Sequence, residues 1–106
     1  MIIVYVKIVY QVKGKNPVKK INVEQLDKKE IEKRGIQSWG IWEKEPSEFD
    51  WSYIKEEHCY IIEGRADIET ENGIMEIKQG DYLIFPMGLN CRWKVTERIK
   101  KYYDFK

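Results

Sequence analysis

Glu57-His58-Cys59-Tyr60-Ile61-Ile62-Glu63-Gly64 is the stretch on which the reading of the fold turns. As an extended strand it sends Glu57, Cys59 and Ile61 to one face and His58 and Tyr60 to the other. Immediately downstream, Glu63 to Glu69 and Ile74 to Lys78 read as a hairpin joined by Thr70-Glu71-Asn72-Gly73, because Asn-Gly supplies the positive φ angles of a tight turn. Gln79-Gly80-Asp81 then turns the chain into a strand from Tyr82 to Pro86, followed by strands from Cys91 to Val95 and from Ile99 to Phe105. Upstream, Trp39 to Glu45 and Phe49 to Tyr53 are two more, separated by Pro46 and Ser47. So many short strands in one small chain predict an all-β barrel or sandwich, and closing the barrel buries edges that otherwise invite aggregation.

The N-terminal part reads differently. Ile2 to Tyr10 is rich in β-branched and aromatic residues and predicts an extra strand. Asn22 as N-cap with Gln25 at the capping-box distance predicts one short helix ending near Gly35. The expected organisation is an N-terminal strand extension over residues 1–20 and a barrel domain over residues 21–106.

Composition excludes several function classes. Lys and Arg number 19 against 18 for Asp and Glu, so no net field favours nucleic acid or an anionic membrane. The apolar opening falls short of the roughly 20 residues a membrane helix needs. Two cysteines are too few for a disulfide framework, and the N-terminus lacks the order of a signal peptide, so a cytoplasmic location is expected. No phosphate loop, serine triad or Cys-x-x-Cys pair is present.

Two motifs resemble the cupin family. Glu57 to Gly64 repeats the family's glutamate, six residues, glycine. Gly80, Pro86 and Gly88 fit its second motif, and Cys91 stands where that motif ends in histidine. Trp51 and Tyr53 occupy the positions of the first motif's two histidines. Ile41-Trp42-Glu43, Phe85-Pro86-Met87-Gly88 and Cys91-Arg92-Trp93-Lys94-Val95 are similar to the small single-domain cupins of unassigned function. They also resemble the cupin modules of ureidoglycine aminohydrolase and of ethanolamine-utilisation protein Q. The resemblance runs from about Gln37 to Tyr103 and implies a double-stranded β-helix, or jelly-roll barrel. It implies no histidine-based metal site here, because three of the four usual ligands have changed.

Candidate site residues follow from the motif positions and from alternation. Glu57, Tyr53 and Cys91 are the candidates for chemistry, with Trp42, Trp51, Cys59, Trp93, Lys101 and Tyr103 expected to line a ligand pocket. A carboxylate in an aromatic cavity needs donors, such as the Tyr53 hydroxyl, or else it protonates. Glu57 reads as a ligand anchor or base, or as a hydrogen-bonded relic of a metal site. Cys91 reads as a metal ligand, a nucleophile or an inert buried thiol. Lys101 is placed at the pocket mouth, in solvent or against an anionic ligand. His58, the single histidine, is assigned to the surface or an interface, and Arg65, Arg92 and Lys94 to the solvated face. The expected function is binding of a small polar or nitrogen-containing organic molecule without a cofactor, in a homodimer. The alternatives are a metal-dependent enzyme with Glu57 and Cys91 as ligands, and a non-catalytic assembly protein built on Ile2 to Tyr10.

Overall fold

The computed structural model describes residues 19–106. They contain β1 (Asn22–Gln25), α1 (Lys28–Lys33), a 3-10 turn (Ile36–Ser38), β2 (Gly40–Lys44), β3 (Ser47–Ser52), β4 (Glu57–Thr70), β5 (Gly73–Lys78), β6 (Asp81–Phe85) and β7 (Asn90–Phe105). The seven strands form one antiparallel sheet with the order β1-β6-β4-β7-β2, in which β3 also pairs with β7 and β5 with β4. The sheet curls into the predicted all-β jelly-roll barrel, because its two long strands each serve two partners in succession. Residues 57–60 of β4 pair with β6, and residues 65–70 pair with β5. Along β7, residues 90–95 pair with β3 and residues 99–103 with β2.

The bend between the two halves of β4 is made by register shifts against β7 between Ile61 and Glu63, Glu63 and Arg65, and Arg65 and Ala66. Gly64 sits inside them at φ 97°, and a Cβ at that position would lie 2.2 Å from the Arg98 carbonyl oxygen. Bulges of this kind curve a strand at the cost of locally lost pairing. The glycine of the sequence motif is therefore a steric requirement of the barrel's closure.

Burial along β4 and β7 alternates as expected, with Glu57, Cys59 and Ile61 inside and His58, Tyr60 and Ile62 only partly covered. Cys91, Trp93 and Val95 share the inner face of β7. The core they join includes Ile68, Ile77, Leu83, Phe85 and Ile99, all fully buried. Hairpin β4–β5 has the expected partners, with Thr70 opposite Gly73. Its turn differs from the Asn-Gly reading, since Gly73 alone takes a positive φ, at 118°. Asn72 instead donates its backbone N–H to the Thr70 hydroxyl at 3.0 Å.

Two expectations are corrected. Asn22 to Gln25 is strand β1, paired with Asp81–Ile84 of β6, and not the start of a helix. The open edge of β6 supplies a full set of backbone partners there, and Val23 turns inward as strand alternation requires. The helix begins after Asp27, whose carboxylate accepts from the Glu30 N–H at 2.8 Å, and it ends before Gly35 as predicted. The strands expected at Cys91–Val95 and Ile99–Phe105 are one continuous strand, because Thr96, Glu97 and Arg98 hold no turn residue and stay extended beside the β4 bulge. The extra strand expected over Ile2 to Tyr10 lies outside the described residues.

Replacing Gly64 by alanine sets a strained φ against a fixed backbone neighbour. Gly64→Ala is expected to cost at least about 3 kcal/mol, a drop of more than about 10 °C in Tm, measured by calorimetry. A Tm within about 2 °C of wild type would show that the bulge tolerates a side chain.

Candidate functional site

Seven aromatic side chains and one ion pair line an open-mouthed cavity of about 180 Å³ between β2, β3, β7 and the start of β4. Each lining residue is set by register. Trp42 of β2 lies opposite Lys101, Phe49 of β3 opposite Trp93, and Trp51 opposite Cys91. Glu57, the first residue of β4, lies between Phe85 of β6 and Phe105 of β7. Tyr53 follows β3 and is held by its backbone N–H, which donates to the Leu89 carbonyl at 2.9 Å.

The rings pack against one another. Phe49 stacks on Trp93 with centroids 6.1 Å apart, and Trp42 meets the Trp93 ring edge-on at 5.7 Å. Tyr53 stacks on Phe85 at 4.8 Å. Trp51, half exposed, stands at the rim and touches Tyr53 edge-on.

At the polar centre Lys101 Nζ donates to Glu57 Oε2 at 2.6 Å, with the two residues 5% and 3% exposed. The ammonium also lies 4.8 Å from the Trp93 ring centroid, 4.9 Å from Trp42 and 5.8 Å from Phe85. Ring faces carry negative charge, and a cation over them gains roughly 0.5–2 kcal/mol. Carboxylate and rings together replace the hydration that a buried ammonium gives up.

The structure thus brings together Glu57, Tyr53, Trp42, Trp51, Trp93, Lys101 and Tyr103 from the predicted set. It moves Lys101 from the expected solvent-exposed mouth to the interior, and makes it, not Tyr53, the donor to Glu57. The reason is alternation, since Ile99, Lys101 and Tyr103 share one face of β7 and Lys101 lies across from inward-facing Ile61. Phe49 and Phe105 also line the cavity and were missed, although each sits two residues from a predicted lining residue, Trp51 and Tyr103. Cys59 and Cys91 are buried outside the lining. Burial pushes the Cys59 thiol up to about 12 and the Cys91 thiol up to about 11, against a partial opposing pull from the Lys101 ammonium. Burial likewise raises the Tyr53 phenol, as does the nearby Glu57 carboxylate. His58 faces outward, hydrogen-bonded to the Tyr82 hydroxyl at 2.6 Å and to Glu56 at 2.7 Å. Arg65 and Arg92 form surface ion pairs, with Glu76 and Glu97 and with Glu48 and Asp50.

The EutQ-like cupin domain model matches residues 31–103, from α1 through most of β7. The chain belongs to this family. A DUF861 family protein from Thermotoga maritima is 42% identical to this EutQ-like cupin over 82% of the present chain and 100% of its own, with a TM-score of 0.79. The putative ethanolamine utilization protein Q of Salmonella typhimurium is 21% identical, covering 80% of this chain and 68% of its own with a TM-score of 0.58. The EutQ protein of Clostridium difficile is 22% identical over 85% and 70%, also at 0.58, and these two likenesses concern the fold alone. No curated protein matches the chain.

Cupins commonly hold a metal at the positions occupied in this EutQ-like cupin by Trp51, Tyr53, Glu57 and Cys91, and these residues do not suit one. Glu57 already carries an ammonium where a metal ion would compete for its oxygen. Neither thiol lines the cavity, and burial raises both above the ordinary thiol range, which works against the thiolate a metal needs. No three His, Cys, Asp or Glu residues gather within ligating reach among the described residues.

Removing one partner of a buried pair strands the other. Lys101→Met is expected to cost about 3–5 kcal/mol in urea unfolding, and Lys101→Met/Glu57→Gln to recover most of that loss. A single substitution costing less than about 1 kcal/mol would mean that the pair is open to water.

Proposed function

We propose that this EutQ-like cupin is a cytoplasmic protein that binds a small polar or nitrogen-containing organic molecule in its aromatic cavity. Glu57 anchors the ligand, and Trp42, Trp51, Trp93 and Tyr103 form the walls. The observation that carries this reading is a ring-sized, largely apolar cavity with one ion pair at its centre. Binding sites for small molecules combine apolar lining with a few convergent polar groups in this way. An apolar cavity of about 150 Å³ accommodates benzene, so about 180 Å³ suits a molecule built on one six-membered ring. Trp51 at the rim offers a ring face to whatever enters.

The proposal takes residues 1–20 as an extension of the barrel and the protein as a homodimer. The free Cys59 and Cys91 suit a reducing compartment.

A set of ring-sized, nitrogen-containing fragments tests the reading by thermal shift and tryptophan emission. A ligand at about 100 times its Kd adds about 2.7 kcal/mol, so at least one fragment is expected to raise Tm by several degrees. The same fragment should bind several-fold more weakly to Trp51→Ala. Silence in both signals across the whole set would overturn the proposal.

A further inference from the structure

The Glu57–Lys101 pair is left incomplete by the protein in a way that specifies its ligand. Lys101 Nζ has three N–H donors, and only one finds an oxygen, Glu57 Oε2. The other two donate to no acceptor among the described residues, and the ammonium lies over ring faces. Glu57 Oε1 receives no hydrogen bond from any described residue, yet among the described residues no fully covered side-chain oxygen or nitrogen lacks a partner. Oε1 is therefore a buried carboxylate's second oxygen, opening onto the cavity that Glu57 and Lys101 both line. The cavity presents an unused acceptor and unused donors side by side.

Charge narrows what can meet them. A carboxylate ligand would face Glu57, and an ammonium ligand would face Lys101, each at the short range where like charges repel strongly. A neutral group with a donor and an acceptor on adjacent positions meets neither penalty. Resting on the small-molecule reading above, we propose that the pair recognises a neutral amide whose N–H and carbonyl point the same way, a primary amide or a lactam. The amide N–H donates to Glu57 Oε1 and its carbonyl oxygen accepts from Lys101 Nζ. The planar amide and its ring occupy the cavity that Trp42, Trp93 and Tyr103 line.

Three probes of nearly equal size separate the groups involved. δ-Valerolactam carries donor and acceptor, N-methyl-δ-valerolactam lacks the donor, and cyclohexanone keeps only the ketone oxygen. Titration of the wild-type protein by tryptophan emission and by the indole N–H resonance of Trp93 is expected to give δ-valerolactam a Kd at least about tenfold below both controls, the loss expected for one hydrogen bond to a charged group. Lys101→Met/Glu57→Met, which leaves neither donor nor acceptor at the pair, should bind all three alike. Equal affinities in the wild-type protein, a preference that survives in the double variant, or no lactam binding while other fragments bind, would each overturn the amide assignment and leave the cavity a binding site. Absence of binding by every fragment would overturn both.

Discussion

The contact on which the site depends is the bond from Lys101 Nζ to Glu57 Oε2 inside the barrel. Two charges taken out of water are costly, and their attraction repays that only with good geometry and added partners. Here the added partners are the faces of Trp42, Trp93 and Phe85. The pair thus ties four strands together, since Glu57 opens β4, Trp42 lies on β2, Phe85 ends β6, and Lys101 and Trp93 lie on β7. It also accounts for the aromatic residues that gather around this point, since their ring faces attract the ammonium.

The arrangement departs from the general cupin metal motif in a physically coherent way. A glutamate at a cupin's metal position needs a cation, and the changed neighbours Trp51, Tyr53 and Cys91 no longer help to hold a metal. Lys101 supplies the cation from the last strand, as a group that is covalently part of the chain and donates hydrogen bonds. The carboxylate is kept, and its partner in this structure is an ammonium in an aromatic surround. Removing Glu57 alone would strand an ammonium that is 5% exposed.

The barrel was legible in the sequence because its signals are local. Alternation placed Glu57, Cys59, Ile61, Cys91 and Trp93 inward, and the motif glycine at 64 proved to be the bulge that bends β4. Asn22 misled because a capping residue is equally at home at the start of a strand, and the edge of β6 that claims it lies about sixty positions away. The capping signal that does act, Asp27 with Glu30, has the same form but no strand beside it. The site was legible in its members and not in its wiring. Lysine is rarely buried without a partner, and only the three-dimensional register that brings Lys101 beside Glu57 and over two indoles makes burial tolerable there.

The state of the Lys101 side chain is the most direct test. Nuclear magnetic resonance of selectively labelled lysine should find, near neutral pH, Lys101 ε-methylene protons shifted upfield by the ring currents of Trp42 and Trp93, with an ammonium resonance protected from exchange. Lys101 signals coincident with those of the exposed lysines, with ammonium protons exchanging as fast as theirs, would contradict the buried pair and the recognition built on it.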